Sequence, residues 1–355
     1  MNLKPLTIGD LTIKYPIIQG GMGVGVSRCR LAGAVAKAGG MGVISTAQIG
    51  YDEPDFDKHQ IATNLEAIGK HVRKAKEIGK DGGGAVGVNI MVATKDYDRY
   101  VKAACEAGVD AIISGAGLPV TLPGLTEGYE HVKLAPIVSS KKATSVILKM
   151  WDRKFHRTAD FLVIEGPKAG GHLGFSKEQL DHMDEMDYDK EIIDIIECKK
   201  TFEEKYDCKI PVVVAGGIFD HADIMHALSL GADGVQIATP FVVTEECDAS
   251  DAYKQAYIDA TAKDIRIVIS PVGMPGRAVM NPFLEAVSKG RQPITKCFNC
   301  LEKCDPKTTP YCITKALTNA VEGDLDHGLI FCGSNVDRLH EMTTVPELMN
   351  KLIYG

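Results

Sequence analysis

The sequence predicts an α/β protein, a (β/α)8 TIM barrel followed by a cysteine-containing C-terminal extension. Three observations carry that expectation. Short β-branched runs alternate with amphipathic helical stretches along the first two thirds of the chain. The runs are almost uniformly apolar, as in a parallel sheet covered on both faces. Eight strand–helix units fit within about 245 residues, the usual size of such a barrel. An open doubly wound sheet shares the strand count, because counting does not show closure; the size favours the barrel.

The strands are expected at 16–22, 41–47, 85–92, 111–117, 134–140, 161–166, 210–217 and 234–242. Between them lie helical stretches such as RLAGAVAKAG, NLEAIGKHVRKAKEIG, YVKAACEAG, ADIMHALSLG and DAYKQAYIDAT, several closing on the glycine expected just past a helix end. Two places break the rhythm. The insertion at 167–190, after the sixth strand, is too long for an ordinary loop and reads as lid-like. The barrel then spans 1–262, and 263–355 forms an extension ending in the helical VPELMNKLIYG. Its apolar residues are too interrupted for a core of their own, so it is expected to pack on the barrel.

Composition narrows the function. The chain has 355 residues, 45% hydrophobic and 25% charged, the profile of a globular protein with a full core. Its 36 glycines are scattered, not periodic, which excludes collagen and points to tight turns beside ligands. A net charge of -7 argues against nucleic acid as partner. No run approaches the roughly 18 apolar residues of a membrane span, and the N-terminus lacks a signal core. Ten cysteines in a chain with a large core fit a reducing cytoplasm better than a disulfide framework. Homodimerisation is left open.

In a barrel, reactive groups gather where the strands end. Those ends carry Gln19 to Met22, Ser45 and Thr46, Asn89, Ser114 to Gly117, Ser139 and Ser140, Glu165 to His172, Gly216 and Gly217, and Gln236 to Thr239. The mouth is therefore lined by glycines, small hydroxyls, amides and one histidine. It offers no carboxylate pair, no metal-type cluster and no strand-end lysine, so a hydrolase or Schiff-base aldolase is poorly supported. A flat cofactor approached closely by backbone fits better. Barrels often bind phosphate with the loops after strands seven and eight. Here these are Ala215-Gly216-Gly217-Ile218 and Gln236-Ile237-Ala238-Thr239, whose N–H groups and Thr239 hydroxyl would form an anion nest.

Gln19-Gly20-Gly21-Met22, Gly87-Val88-Asn89, the Glu165–His172 segment EGPKAGGH, Ala215-Gly216-Gly217-Ile218 and the Gly231–Gln236 segment GADGVQ occur in order. In these the sequence resembles the nitronate monooxygenase (2-nitropropane dioxygenase) family, which includes the flavin-dependent enoyl-acyl-carrier-protein reductases. The resemblance covers roughly residues 5–290, and Ala-Gly-Gly-His is its most specific part. It implies an FMN-binding TIM barrel. Gly20, Gly21 and Met22 would line the flavin, Asn89 its ring system, and Gly216, Gly217, Gln236 and Thr239 the phosphate. Ser139, Glu165, Ala169, Gly170, Gly171, Ala215, Ile237 and Ala238 complete the implied cofactor set, and His172 matches the catalytic histidine.

His172 also makes sense without the family. An imidazole exchanges a proton near neutral pH, and the flanking glycines let it approach a ligand. The other nine histidines, including His156, His182, His221 and His226, fall on predicted helices or polar loops and read as surface residues. The tail carries Cys297-x2-Cys300-x3-Cys304-x7-Cys312. Four such thiols can ligate zinc or an iron–sulfur cluster, yet the spacing matches neither the bacterial ferredoxin run nor a paired CxxC ribbon. Structural thiols without metal are the favoured reading, and a disulfide the least favoured. The remaining cysteines, Cys29, Cys105, Cys198, Cys208, Cys247 and Cys332, read as packing residues.

Two activities follow from the resemblance. One is nitronate monooxygenase, oxidising alkyl nitronates with O2 to a carbonyl compound and nitrite. The alternative is an NAD(P)H-dependent enoyl-thioester reductase on the same scaffold. A non-catalytic flavin- or phosphate-binding barrel is a third class, against which an intact His172 argues.

Overall fold

In the computed structural model, residues 3–355 are described. A hairpin of β1 (Leu6–Ile8) and β2 (Leu11–Ile13) comes first. Its Leu6, Ile8 and Ile13 are buried among side chains of the barrel interior, such as Ile18, Val43 and Phe161. The hairpin also approaches the start of a barrel strand through an ion pair between Asp10 and the buried Lys133. It therefore stoppers the end of the barrel at which the strands begin.

The barrel strands are β3 (Ile17–Gln19), β4 (Met41–Ser45), β5 (Ala85–Met91), β6 (Ala111–Gly115), β7 (Lys133–Val138), β8 (Leu162–Glu165) and, after the two-residue β9 (Gly171–His172), β10 (Val212–Ala215) and β11 (Gly234–Ile237). All eight pair in parallel, and β11 against β3 closes the ring, as the sequence predicts. Successive residues of a strand face opposite sides. Ile18, Met41 and Val43 point into the barrel, while Ile17 and Ile44 face the helices. Both faces are covered, which is why the strands read as unbroken apolar runs.

The connecting helices are α1 (Cys29–Lys37), α2 (Phe56–Gly79), α3 (Tyr97–Glu106), α4 (Leu122–Leu125), α5 (Lys141–Phe155), α6 (Lys177–Asp181), α7 (Tyr188–Tyr206), α8 (His221–Ser229), α9 (Thr239–Val242) and α10 (Asp251–Asp259). Local caps fix several starts. Ser140 accepts from the Ala143 N–H, and Asp220 and Asp223 form a reciprocal box at α8. The strands stop short of their expected bounds, most of all at 234–242, which is extended only to Ile237 while Thr239–Val242 is the short helix α9. Pro240 lies in its first turn, where a missing N–H costs no helix bond and the fixed φ suits the helix. His71 also departs from expectation. It lies buried on α2, its Nδ1 without a partner, and burial lowers its pKa to about 4.

The extension begins with β12 (Ile265–Ile269) and β13 (Pro275–Val279), an antiparallel pair. β13 also pairs with β9, so Gly276 lies opposite His172 and Arg277 opposite Gly171. Helices α11 (Pro282–Lys289), α12 (Ile313–Glu322) and α13 (Val345–Tyr354) follow. The last packs on α1 and α8 and buries Leu348, Met349, Leu352 and Ile353 in the main core. The extension also gathers an apolar cluster of its own around Phe283, Leu301, Tyr311 and Leu329, which its interrupted sequence does not suggest. No helix among the described residues is long and apolar enough to cross a membrane.

Candidate active site

A cavity of about 240 Å³ opens at the carboxyl ends of the strands. It brings together Gly20, Gly21, Met22, Asn89, Glu165, Ala169, Gly170, Gly171, His172, Ala215, Gly216, Gly217, Gln236, Ala238 and Thr239. Two expected members do not line it. Ser139 lies under the 173–175 loop, where its carbonyl accepts from the Tyr188 hydroxyl at 3.3 Å and its own hydroxyl would meet a side chain at Gly174. Ile237 is buried, and its part is played by the backbone: its carbonyl accepts from Gly20 N–H at 2.8 Å.

The glycines are set by close approach. A Cβ on Gly21 would fall 2.5 Å from the Cβ of Asn89, whereas one on Gly20 would meet only the movable Gln236 side chain at 3.3 Å. Gly216, at φ 90°, has the Gly166 backbone within 3 Å of where a Cβ would stand. Among the described residues none hydrogen-bonds the Asn89 amide or the Glu165 carboxyl. Both are thus free to meet a ligand. Glu165 ends β8 without a charged partner, and burial pushes its pKa up to about 7.

His172 is carried by β9 and held from the opposite wall. Its Nε2 lies 2.7 Å from the Ser270 hydroxyl, whose oxygen also accepts the Val272 N–H at 3.2 Å. The Phe331 ring meets the imidazole edge-on at 5.1 Å. Burial lowers the His172 pKa to about 4, so the ring is neutral at pH 7. Arg277 fixes the turn that leads into β9: its guanidinium donates to the carbonyls of Ala169 and, at 2.9 Å, Pro167.

Sequence reasoning missed this second wall. Ser270, Phe331, Gly333 and Asn335 come from the extension, and the Asn335 amide donates to the Gly217 carbonyl at 2.9 Å. The Tyr257 hydroxyl donates to the Phe331 carbonyl, tying α10 to the same segment. Cys332 packs in the main core and also lines the cavity, whereas Cys208 is exposed. Lys168 is the cavity's one lysine or arginine, and Glu165 its one carboxylate, among the described residues. The sequence marked Lys168 only as part of a motif. Periodicity carries no signal for any of these residues. The four tail cysteines lie apart from the mouth, except that Cys300 reaches it.

Such a cavity can hold an anionic, flat ligand and offer it one neutral imidazole and one easily protonated carboxyl. The profile of the family described as nitronate monooxygenase matches residues 4–355. A relative named probable nitronate monooxygenase, from Staphylococcus saprophyticus, is 26% identical over 90% of this chain and 87% of its own. Among solved structures, FabK from Thermotoga maritima superposes with a TM-score of 0.71 at 24% identity, covering 96% of this chain and 92% of that one. Nitroalkane oxidase from Streptomyces ansochromogenes gives 0.71 at 20%, covering 97% and 95%. Those two likenesses speak for the barrel fold. Because the family profile extends over all but the first three residues, the chain belongs to the nitronate monooxygenase family of oxidoreductases.

Proposed function

We propose that the cavity binds FMN and that the protein is a nitronate monooxygenase, turning alkyl nitronates and O2 into a carbonyl compound and nitrite. One observation carries the reading: a glycine cradle and a desolvated imidazole share a single cavity. The residues present fit the cofactor. Gly216, Gly217, Ala238 and Thr239 would hold the phosphate, with Lys168 as the nearby cation. Gly20, Gly21, Met22 and Asn89 would lie along the ring, and protonated Glu165 would donate a hydrogen bond to it. When bound, FMN supplies the one-electron oxidation of the substrate.

The protein's own groups select and orient that substrate. Burial disfavours imidazolium, but an anionic nitronate beside His172 would favour its charged or donating form. The Ser270 hydroxyl can donate to Nε2, leaving Nδ1–H to hold a nitronate oxygen. It can also accept from Nε2–H, leaving Nδ1 as the base for the α-proton of a neutral nitroalkane. Nδ1 has no partner among the described residues. We assign the protein to a reducing cytoplasm, supported by ten cysteines in a chain whose large core needs no disulfide staples.

The test is a parallel assay of protein reconstituted with FMN and desalted. Nitrite formed from propyl-2-nitronate and O2 is the expected result. A preparation without flavin absorbance after desalting defeats the cofactor assignment. Reduction of a crotonyl thioester by NAD(P)H, with nitronates untouched, replaces the monooxygenase by the enoyl-thioester reductase.

A further inference from the structure

The extension encloses a second, smaller cavity, and all four clustered cysteines of the tail, Cys297, Cys300, Cys304 and Cys312, line it. Three arrive on one loop, 297–304, and the fourth at the start of α12. Cys300 and Leu301 also line the large cavity, so the two spaces share a wall.

One of the sulfurs is met by a backbone donor. Asn299 adopts a left-handed conformation, φ 49°, and its N–H donates to Cys297 Sγ at 3.3 Å. Cys312 is the N-cap of α12 but makes no side-chain hydrogen bond to its first turn. Cysteine binds metal as the thiolate, a form that burial disfavours here and that a bound cation would restore. No lysine or arginine among the described residues hydrogen-bonds any of the four, so no side-chain cation balances that charge. A separate observation also points to a guest. Thr309 is 7% exposed and lines this cavity, its hydroxyl turned to the Cys304 sulfur without a well-formed hydrogen bond. A buried polar group left unpaired is destabilising unless something answers it.

We propose that Cys297, Cys300, Cys304 and Cys312 ligate a [4Fe–4S] cluster in this cavity. A single zinc ion draws four sulfurs to about 2.3 Å, hence roughly 3.8 Å from one another. Here no three His, Cys, Asp or Glu side chains among the described residues gather tightly enough to share one ion. A four-iron cluster holds its thiolates farther apart and suits a ring of cysteines around a void. Its ligation also follows the plan seen here, closely spaced cysteines plus a remote one. On this convergence we prefer the cluster to the metal-free reading that spacing alone favours. It is independent of which substrate is oxidised at the barrel mouth.

The experiment is metal analysis of the full-length protein, purified without oxygen from iron-replete cells. About four irons and four acid-labile sulfides per chain are expected, together with an EPR signal after dithionite reduction that a flavin radical does not give. Cys304→Ser and Cys312→Ser should lose nearly all the iron with an unchanged far-UV circular dichroism spectrum. Cys208→Ser, at an exposed cysteine outside the cavity, should keep it. Should the serine variants not fold, wild-type protein stripped of metal is treated with ferrous iron and sulfide; recovery of both with a raised melting temperature supports the cluster. One zinc per chain without sulfide, or wild-type protein that takes up neither iron nor sulfide, overturns it.

Discussion

Along one side of the large cavity the chain is regular. Gly20 to Met22, Asn89, Ala215 to Gly217 and Ala238 to Thr239 each stand at or just past the carboxyl end of a barrel strand. Along the other side Val272, Phe331, Gly333 and Asn335 arrive from irregular segments of the extension, with Ser270 buried behind His172. The first wall is set by the strand ladder, as when Gly20 N–H donates to Ile237. The second is set by single contacts, such as the Asn335 amide on Gly217 and the Phe331 ring on His172. A wall carried by many cooperative backbone bonds holds a rigid cofactor, and one carried by individual side chains is the place to vary a substrate pocket. Substitutions on the strand side should therefore act through cofactor retention, and those on the tail side through graded changes.

The largest effect is expected where the walls meet. His172→Ala should keep its flavin, because the phosphate and ring contacts lie on the strand side, yet lose about 100- to 10,000-fold in turnover of neutral nitroalkanes. Preformed nitronates, which need no proton removed, should suffer much less. Stopped-flow flavin reduction with both substrates measures the difference, and equal loss on both would break the comparison. In the wild type, the activity that depends on neutral His172 should hold at neutral pH and fall as pH drops toward 4.

Glu165 offers a test of the strand wall alone. Its folded pKa, about 7, lies above the carboxylic acid's ordinary 4.5, so the folded state holds an extra proton between those values. The stability that this proton provides is fully present below 4.5 and is lost as pH rises through 7. Glu165→Gln should raise the melting temperature of flavin-free protein at pH 8 and barely change it at pH 4. The difference is at most about 3 kcal/mol, reduced by the water that screens the half-buried side chain.

Two neighbouring glycines sharpen the same wall. Gly21→Ala drives a methyl into Asn89 and should weaken FMN binding by an overpacking cost of about 1–3 kcal/mol. Gly20→Ala, which meets only the mobile Gln236 side chain, should be milder. Equilibrium dialysis against FMN ranks them, and the reverse order would show that Asn89 yields. Smallest is the tail-side Asn335→Ala, which removes one hydrogen bond to Gly217. It should cost roughly 0.5–1.5 kcal/mol of FMN affinity.

The division explains what could be read in advance. A strand buried on both faces announces itself through residues such as Ile17 and Ile18, which fill opposite sides and leave no polar gap. The glycine loops are legible because they follow strands. Ser270 is invisible by the same logic: an isolated serine in a Pro- and Gly-bearing stretch gains its partner only when β13 pairs with β9 across a long separation in sequence. His71 misleads because α2 is long and polar on average, so nothing local marks the face it shares with the core. Thr239–Val242 misleads because a threonine, an aromatic and a valine favour a strand until Pro240 is weighed.

The pairing of β13 with β9 has a temporal side. During synthesis a chain emerges N-terminal end first and its early segments fold as units. All eight barrel strands leave the ribosome before Ser270, Arg277, Phe331 and Asn335 exist to brace His172 and roof the phosphate loops. A nascent barrel would thus offer an open, weakly gripping mouth, and firm cofactor capture would wait for the last stretch of translation. On that order cofactor loading would be a late event, and unfinished chains would carry little reactive flavin.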